Sequence, residues 1–326
     1  MHATNPLARL DATIADYLAY FRSLGRGYEQ EEWVLRSMRQ FLSVRRVVDL
    51  DQQIFDLWRN TFCHLHPNSR STYERIVHNF CRYRRRSEPN CFLPDPVSFA
   101  RPIPHALPSL IEPEQIARML ALASTLRPTP TSPLRPALIR LALVLLYTTG
   151  MRRGELLRLT MGDVDSRAGV LRIRESKFHK SRLVPLSPSA HTELRRYLRI
   201  RCGCQLDTRP SAPLLCQRGR GGVRPCRPGG MYESLHALFD AAGVRNSEGR
   251  CPRVHDIRHS FAAGALLRWY EHHDDVQANL PKLALYMGHV SIASTAYYLR
   301  WMPDVVTHAS KRFKRSFGHL VQVGAS

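Results

Sequence analysis

Lysine and acidic residues are both scarce in this chain of 326 residues. Lysine and arginine together number 48, against 27 aspartates and glutamates, so the net charge is +21. The few lysines are Lys177, Lys180, Lys282, Lys311 and Lys314. The charge predicts a polyanionic partner, nucleic acid first and a membrane surface second. Because the chain uses arginine almost everywhere, a lysine at any one place suggests a specific role.

Long hydrophobic runs are missing as well. The longest candidate extends from Leu138 to Tyr147, is interrupted by Arg140, and is too short to cross a bilayer. The first residues, MHATNPLARLDA, contain no signal-peptide core. We therefore expect a cytoplasmic protein without a membrane partner. Its length suffices for two ordinary domains.

Eight cysteines are present, but a disulfide framework is not expected in a protein without a signal peptide. Cys202, Cys204, Cys216 and Cys226 lie close enough in sequence to suggest zinc. Their spacing contains no paired CxxC motif, and the segment around them is rich in Arg, Gly and Pro. We interpret them as ordinary thiols and predict no metal site.

The first 87 residues are predicted to form an all-helical domain. Apolar residues recur at helical spacing over 7–24, 29–42, 51–62 and from about 69 onward. In the second helix we expect Trp33, Met38, Phe41 and Leu42 to be buried. The fourth helix ends in RYRRR, which is either a solvated helix end or a phosphate-contacting surface. The net charge favours the second interpretation, with Arg84 and Arg85 as DNA contacts.

A proline-rich stretch with little periodicity, residues 88–110, is predicted to be a linker. The domain after it, 111–303, is predicted to be mostly helical, with a small β-hairpin formed by strands near Val170–Ile173 and Leu183–Leu186. Residues 202–230 are expected to be irregular. Helices are expected at 112 onward, 137–147, 155–159, 188–200, 232–242, 255–270, 276–287 and 292–301. A tail, 304–326, completes the chain and has one apolar face.

Residues 255–262, HDIRHSFA, place His255 and Arg258 three residues apart at the start of an apolar run. On a helix these two side chains share a face. A fixed cation beside a proton-transferring group suits phosphate chemistry. Three other motifs accompany this one, namely TTGMRRGELL (148–157), ESKFHKSRLVPLS (175–187) and MGHVSIASTAYY (287–298).

The four motifs, in this order, closely resemble the tyrosine recombinase (phage integrase) family over about residues 110–305. The helical N-terminal domain is similar in size and position to that family's core-binding domain, without a specific motif. The resemblance implies a helical DNA-binding domain followed by a mixed, mostly helical catalytic domain. It also implies double-stranded DNA as substrate and a site-specific recombinase or mobile-element transposase, associated with the prokaryotic nucleoid.

The resemblance assigns six catalytic residues, namely Arg152, Lys177, His255, Arg258, His289 and Tyr298. The two arginines would clamp the scissile phosphate, neutralising the charge on pentacoordinate phosphorus, so no cofactor is expected. Glu155 would support the arginine pocket. His179, Lys180 and Arg182 are expected to touch the DNA backbone or to stay solvated, and His259 is expected to be structural.

The remaining roles follow from the same resemblance. Lys177 would be the general acid, since an ammonium can lose a proton and a guanidinium cannot. His255 would transfer a proton or orient the phosphate, and His289 would hydrogen-bond it. The family's spacing selects Tyr298, not Tyr297, as the nucleophile that forms a 3′-phosphotyrosyl link.

The resemblance implies a homo-oligomer that is a tetramer on DNA and a monomer or dimer when free, with companion recombinases as further candidate partners. The tail is expected to dock on a neighbouring subunit or on its own domain. Three alternatives are a type IB topoisomerase-like enzyme, a non-catalytic DNA-binding accessory subunit and a basic RNA- or membrane-binding protein. The biological role, whether integration, transposition, dimer resolution or integron exchange, stays open.

Overall fold

The computed structural model describes residues 6–104, 108–174 and 181–289. The chain divides into two compact units, Met1–Ala106 and Leu107–Ser326. The predicted fold class, mainly helical with small β-sheets, is confirmed. Among the described residues, no helix combines the length and the apolar character that crossing a bilayer requires.

The described part of the first unit contains four helices around one core. They are α1 (Pro6–Ser23), α2 (Glu29–Arg45), α3 (Gln52–Asn60) and α4 (Pro67–Arg84). The side chain of Asp51 accepts a hydrogen bond from Ile54 N and so caps α3. Trp58, Phe55 and Phe80 are almost fully buried in the core. Aromatic side chains thus supply much of the apolar area that holds this small unit together.

Trp33, predicted to be buried, is 52% exposed and lies beside Phe62 and Tyr73 at the surface. Met38 and Leu42 are buried as predicted, Phe41 is half-buried, and Val34 and Leu35 complete the buried stripe of α2. Helical spacing located this stripe to within one residue, but it could not exclude the residue at the edge of the stripe.

Much of the predicted linker packs on this first unit. Phe92, Leu93 and Phe99 lie against its core. The backbone N–H of Ala100 donates to Glu74 at 2.7 Å, and Asn68 exchanges two hydrogen bonds with the backbone of Ile103. Prolines prevent regular structure here without preventing packing. Within the predicted linker, residues 91–103 thus pack along the helices of the first unit, with a short 3-10 turn at Pro96–Ser98.

The second unit is built around α6 (Arg135–Thr149), which is buried on nearly all sides. It packs against helices on either side of it in sequence. Those helices are α5 (Pro113–Thr125), α8 (Pro188–Gly203), α9 (Pro228–Ala241) and α10 (Val254–Glu271). Two shorter helices are α7 (Arg153–Arg158) and α11 (Val276–Met287). A helix with no polar face needs such a surrounding layer, which matches the prediction for 137–147.

Two small antiparallel sheets complete the described part of this unit. One has the order β1 (Val164–Asp165), β2 (Val170–Ile173) and β3 (Arg182–Pro185), with Leu171 opposite Val184. The other pairs β4 (Cys216–Gly219) with β5 (Gly222–Pro225). The β2–β3 pair was predicted, and its connection at 175–180 lies outside the described residues. The β4–β5 hairpin was missed, because its strands are short and rich in Arg and Gly.

The four cysteines considered as zinc ligands are spread between the core and the surface. Cys216 and Cys226 are buried, Cys204 is half-buried and Cys202 is exposed. Over residues 6–104, 108–174 and 181–289, no three His, Cys, Asp or Glu side chains are grouped in a way that could hold a metal ion.

Candidate active site

Arg152 lies between the end of α6 and the start of α7. Its Nη1 donates to Glu155 Oε1 at 2.8 Å, and its Nη2 donates to the Gly288 carbonyl at 3.0 Å. The Arg152 backbone N–H donates to the other Glu155 oxygen at 3.0 Å. The side chain is 28% exposed. Arg152 is therefore fixed at two points and still reaches solvent, as an anion-binding arginine must.

Glu155 joins two arginines at the base of the site. It is 3% exposed and also accepts a hydrogen bond from Arg182 Nη2 at 2.8 Å. Burial alone would raise the pKa of this carboxyl group. Hydrogen bonds from Arg182 and from the Arg152 backbone, together with the arginine charges, outweigh burial and lower the pKa to about 2. Glu155 is thus an ionised brace, as predicted for a residue that supports the arginines.

Arg182 was expected to touch DNA or to be solvated, and this expectation is wrong. Its side chain is 8% exposed, and its Nε donates to the Tyr286 carbonyl at 2.8 Å. It connects β3 to the end of α11, and its positive charge compensates the Glu155 carboxylate through the second oxygen, Oε2. A sequence shows an arginine near a hairpin tip, but it does not show which buried carboxylate that arginine will meet.

Arg258 is 2% exposed and joins the ends of two other helices. Its Nη1 donates to the Gly150 carbonyl, and its Nη2 donates to the Met287 carbonyl at 2.9 Å. Both carbonyls stand at helix C-termini, where they lack intrahelical partners and carry partial negative charge. The buried guanidinium therefore holds the ends of α6 and α11 against the start of α10.

Two glycines allow these close approaches. Gly150 (φ 60°) ends α6 and Gly288 (φ 69°) ends α11, both in the left-handed region that favours glycine. A Cβ on Gly150 would come within 2.3 Å of the Phe261 ring, and one on Gly288 within 2.6 Å of Arg182 Nη1. Each glycine presents its carbonyl to an arginine. The backbone conformation and the close packing at these two helix ends thus explain why the motifs have glycine at 150 and 288.

His255 stands at the first turn of α10, next to Arg258 on the same face. Its side chain remains open to the pocket, yet enough protein surrounds it to lower its pKa by desolvation, with a further contribution from the Arg258 charge. An imidazole with a lowered pKa is neutral at pH 7 and can accept a proton. Its ring meets that of His259 edge to face at 4.8 Å.

His289 follows the left-handed Gly288, and its backbone N–H donates to the Ala284 carbonyl at 2.8 Å. Burial, and then the charges of Arg258 and Arg152, lower its pKa to about 4. A neutral imidazole retains one N–H that can donate to an oxyanion.

A pocket of about 460 Å³ brings Arg152, His255 and Arg258 together. Its lining also includes Arg253 and Tyr232, neither of which was predicted from sequence. Arg253 stands two residues before His255, so proximity to the motif was an available signal. Tyr232 lies on α9, over twenty residues before that motif, and only the packing of α9 brings it to the pocket.

Four predicted site residues, Lys177, His179, Lys180 and Tyr298, lie outside the described residues.

In the first unit, the prediction that Arg84 contacts DNA is wrong. Arg84 is 6% exposed and forms ion pairs with Asp49 at 2.7 Å and with Glu88 at 2.7 Å. Helical geometry turns this one arginine of RYRRR inward, where two carboxylates compensate its burial. Arg85 is exposed, and its Nε donates to the Cys91 carbonyl.

The model of the phage integrase family matches residues 109–303. The match includes every residue of the pocket and extends over more than half of the chain. The chain belongs to the phage integrase family. It is accordingly a tyrosine recombinase, an enzyme of the class that breaks and rejoins DNA strands.

Known relatives of this recombinase support the same family. The putative integrase/recombinase y4rB of Sinorhizobium fredii (strain NBRC 101917 / NGR234) is 32% identical over 93% of this chain and 96% of its own length. The tyrosine recombinase XerA of Pyrococcus furiosus (strain ATCC 43587 / DSM 3638 / JCM 8422 / Vc1) is 28% identical over 61% of this chain and 59% of its own length.

Among solved structures, the Tn1549 transposon integrase in complex with transposon right end DNA has a similar fold. The TM-score is 0.62 at 15% identity, covering 94% of this chain and 98% of the integrase chain. At this identity the likeness concerns the fold alone. It extends over both units of the recombinase, including the helical N-terminal unit that has no motif of its own.

Proposed function

We propose that this enzyme cleaves and rejoins duplex DNA at a specific site through a 3′-phosphotyrosine intermediate. The observation that carries the proposal is the pocket in which Arg152 and Arg258 meet His255, with Glu155 as brace. Two fixed guanidiniums beside a neutral imidazole suit a reaction in which negative charge grows on a phosphate.

In the proposed reaction, the Tyr298 oxygen attacks the scissile phosphorus, and the bond from phosphorus to the 5′ oxygen breaks. Lys177 gives a proton to the leaving 5′ oxygen, and His255 accepts the phenol proton or orients the phosphate. Arg152, Arg258 and His289 donate to the non-bridging oxygens. The 5′ hydroxyl of a partner strand then attacks the phosphotyrosine, which releases Tyr298 and reseals the DNA.

Integration, excision or transposition of a mobile element is the proposed role. The curated relative y4rB is named a putative integrase/recombinase, and the protein of similar fold from Tn1549 is named a transposon integrase. Recombination joins two duplexes, so we further propose a tetramer on DNA. Arg85, His179 and Lys180 stay proposed DNA contacts, and residues 304–326 stay a proposed docking segment between subunits.

The chemistry is tested by incubating the protein with the DNA that flanks its gene, followed by denaturing electrophoresis. A covalent protein–DNA adduct should form, and Tyr298→Phe should remove it. Tyr297→Phe is the matched control, since it deletes the same hydroxyl one residue away and should leave the adduct. An adduct that survives Tyr298→Phe would refute the assignment. Relaxation of supercoils without recombination would instead favour the topoisomerase alternative.

A further inference from the structure

A second cleft adjoins the candidate active site. Its volume is about 690 Å³, and it shares Arg153 and Gly154 with the pocket that contains Arg152, His255 and Arg258. The cleft is lined by the outer side of α7, the start of α9 and the loop that precedes β4. The cleft and the pocket therefore meet at Arg153 and Gly154.

Three arginines, Arg153, Arg158 and Arg227, line this cleft, and its lining contains no acidic side chain. Within the described ranges, none of the three forms an ion pair, although most other arginines that border pockets of this unit do. Arg140 pairs with Glu193, and Arg174 pairs with Asp163. Like charges that share a cleft without a counter-charge repel one another, and a bound polyanion would relieve this repulsion.

The walls of the cleft are firmly held. Arg201, which is 0% exposed, donates through Nη1 to the carbonyls of Pro213 and Leu214 at 2.8 and 2.7 Å and so anchors one wall. The guanidinium of Arg153 lies 5.6 Å from the centre of the Tyr232 ring, which orients it at the junction with the active-site pocket. A preformed cationic groove binds an anion with little loss of conformational entropy.

We propose that the cleft binds the sugar–phosphate backbone of the substrate strand beside the scissile phosphate, with Arg153, Arg158 and Arg227 paired to its phosphates. The inference rests on the proposed function, because it extends the same DNA strand out of the active-site pocket. Phosphate contacts of this kind set the register of a protein on a duplex without reading sequence. The cleft thereby positions one particular phosphate between Arg152 and Arg258.

The test measures how DNA affinity depends on salt. The double variant Arg158→Gln with Arg227→Gln removes two cleft charges and leaves Arg153 and the active-site pocket intact. Arg195→Gln with Arg199→Gln is the matched control, because both residues are exposed, lack ion pairs and lie on α8 outside the cleft. The probe is a short fluorescent duplex of arbitrary sequence, titrated with each protein at several salt concentrations.

A plot of log affinity against log salt has a negative slope. In the cleft variant this slope should be shallower by about 1.8, since each lost phosphate contact removes about 0.9 from its magnitude. The control should keep the wild-type slope. An unchanged slope in the cleft variant, or equal losses in both variants, overturns the inference. Melting curves of all three proteins show whether folding is retained, which is expected because both cleft residues are exposed.

The adduct assay separates this inference from the proposed function. The adduct is measured with the wild-type protein on the DNA that flanks its gene, and the salt dependence is measured with the duplex of arbitrary sequence. A wild-type protein that binds the duplex and forms the adduct, with no slope change in the variant, overturns the cleft alone. A wild-type protein that binds duplex DNA but forms no adduct on the flanking DNA overturns the proposed chemistry alone, and one that does not bind duplex DNA overturns both.

Discussion

At the scale of single residues, one buried carboxylate organises the active site. Glu155 compensates Arg152, which reaches the pocket, and Arg182, which does not. A buried ion pair is costly to break, because the remaining charge stays in a poorly solvated place. The position of the phosphate-binding arginine therefore depends on a residue that has no chemical step of its own.

Glu155→Gln tests this dependence. The variant retains the shape of the side chain but leaves two guanidiniums without their shared counter-charge. We expect a loss of about 3 kcal/mol in the free energy of unfolding, measured by urea denaturation, together with weaker DNA cleavage. Glu248→Gln is the control, since its pair with Arg250 is solvent-exposed, and it should leave the denaturation midpoint unchanged. Equal stability of the two variants would contradict the role of Glu155 as the counter-charge that holds Arg152 and Arg182 in place.

The protonation of His289 is the second test at this scale. Burial and the charges of Arg258 and Arg152 lower its pKa to about 4 in the DNA-free protein, against an ordinary value near 6.5. The unfolded chain then binds a proton at higher pH than the folded chain does. This histidine's contribution to stability is thus complete above pH 6.5 and declines as the pH falls towards 4.

An NMR titration of the DNA-free protein, with the His289 resonance assigned by His289→Gln, measures this pKa. The imidazole should remain neutral at pH 6, in the form that donates one hydrogen bond to a phosphate. A midpoint near 6.5 would show that neither burial nor the arginine charges disfavour the protonated ring.

At the scale of elements, helix ends build the site. The C-termini of α6 and α11 offer carbonyls to Arg258 and Arg152, and α10 begins beside them with His255. The glycines that end α6 and α11 are therefore parts of the active-site frame. Their replacement should affect the frame more than the helices themselves.

Gly288→Ala is expected to cost about 1–3 kcal/mol of stability, because its φ of 69° is strained for alanine and the new Cβ would meet Arg182. Gly264→Ala is the control of opposite sign. It lies inside α10, where an added Cβ makes only ordinary contact, so alanine should stabilise the helix by up to about 1 kcal/mol. Thermal unfolding and the adduct assay are measured for both variants. Gly288→Ala should lower the unfolding temperature and the adduct yield if Gly288 supports the active-site frame, and should change neither if it does not.

At the scale of the whole molecule, the arginines fall into buried and exposed groups. Several of them, including Arg84, Arg182 and Arg201, have buried side chains and bond to carboxylates or backbone carbonyls. Other arginines are exposed and form no ion pair among the described residues, such as Arg158 and Arg227 of the cleft beside α7. DNA affinity should accordingly depend on a limited set of arginines and strongly on salt.

Assembly is a separate property of the whole chain. We expect truncation after residue 303 to abolish the complex that joins two duplexes, while binding to a single duplex is retained. Gel-shift and sedimentation measurements on the two proteins compare these properties. Unchanged assembly after truncation would place the tail on its own domain instead of a neighbouring subunit.

Most of the helices were predictable from sequence because helix formation is local. Apolar spacing, Pro at the first turn and Gly at the last located the start of α5 and both ends of α6 and α11 to within about two residues. The motifs located Arg152, His255 and Arg258, which the fold brings into one pocket. These features depend on neighbours in sequence, so one chain suffices to indicate them.

Only the tertiary structure decided which cations face outward. Arg84 and Arg182 look like DNA contacts in sequence, but each meets a carboxylate that lies 35 or 27 residues away. Arg158 and Arg227, which no motif marks, become neighbours because α7 and the start of α9 border one cleft. Ion pairing and burial depend on long-range proximity, and a guanidinium carries the same charge in either setting. The sequence therefore indicated the family and the three pocket residues Arg152, His255 and Arg258, whereas packing determined which arginine side chains are buried in ion pairs and which stay exposed.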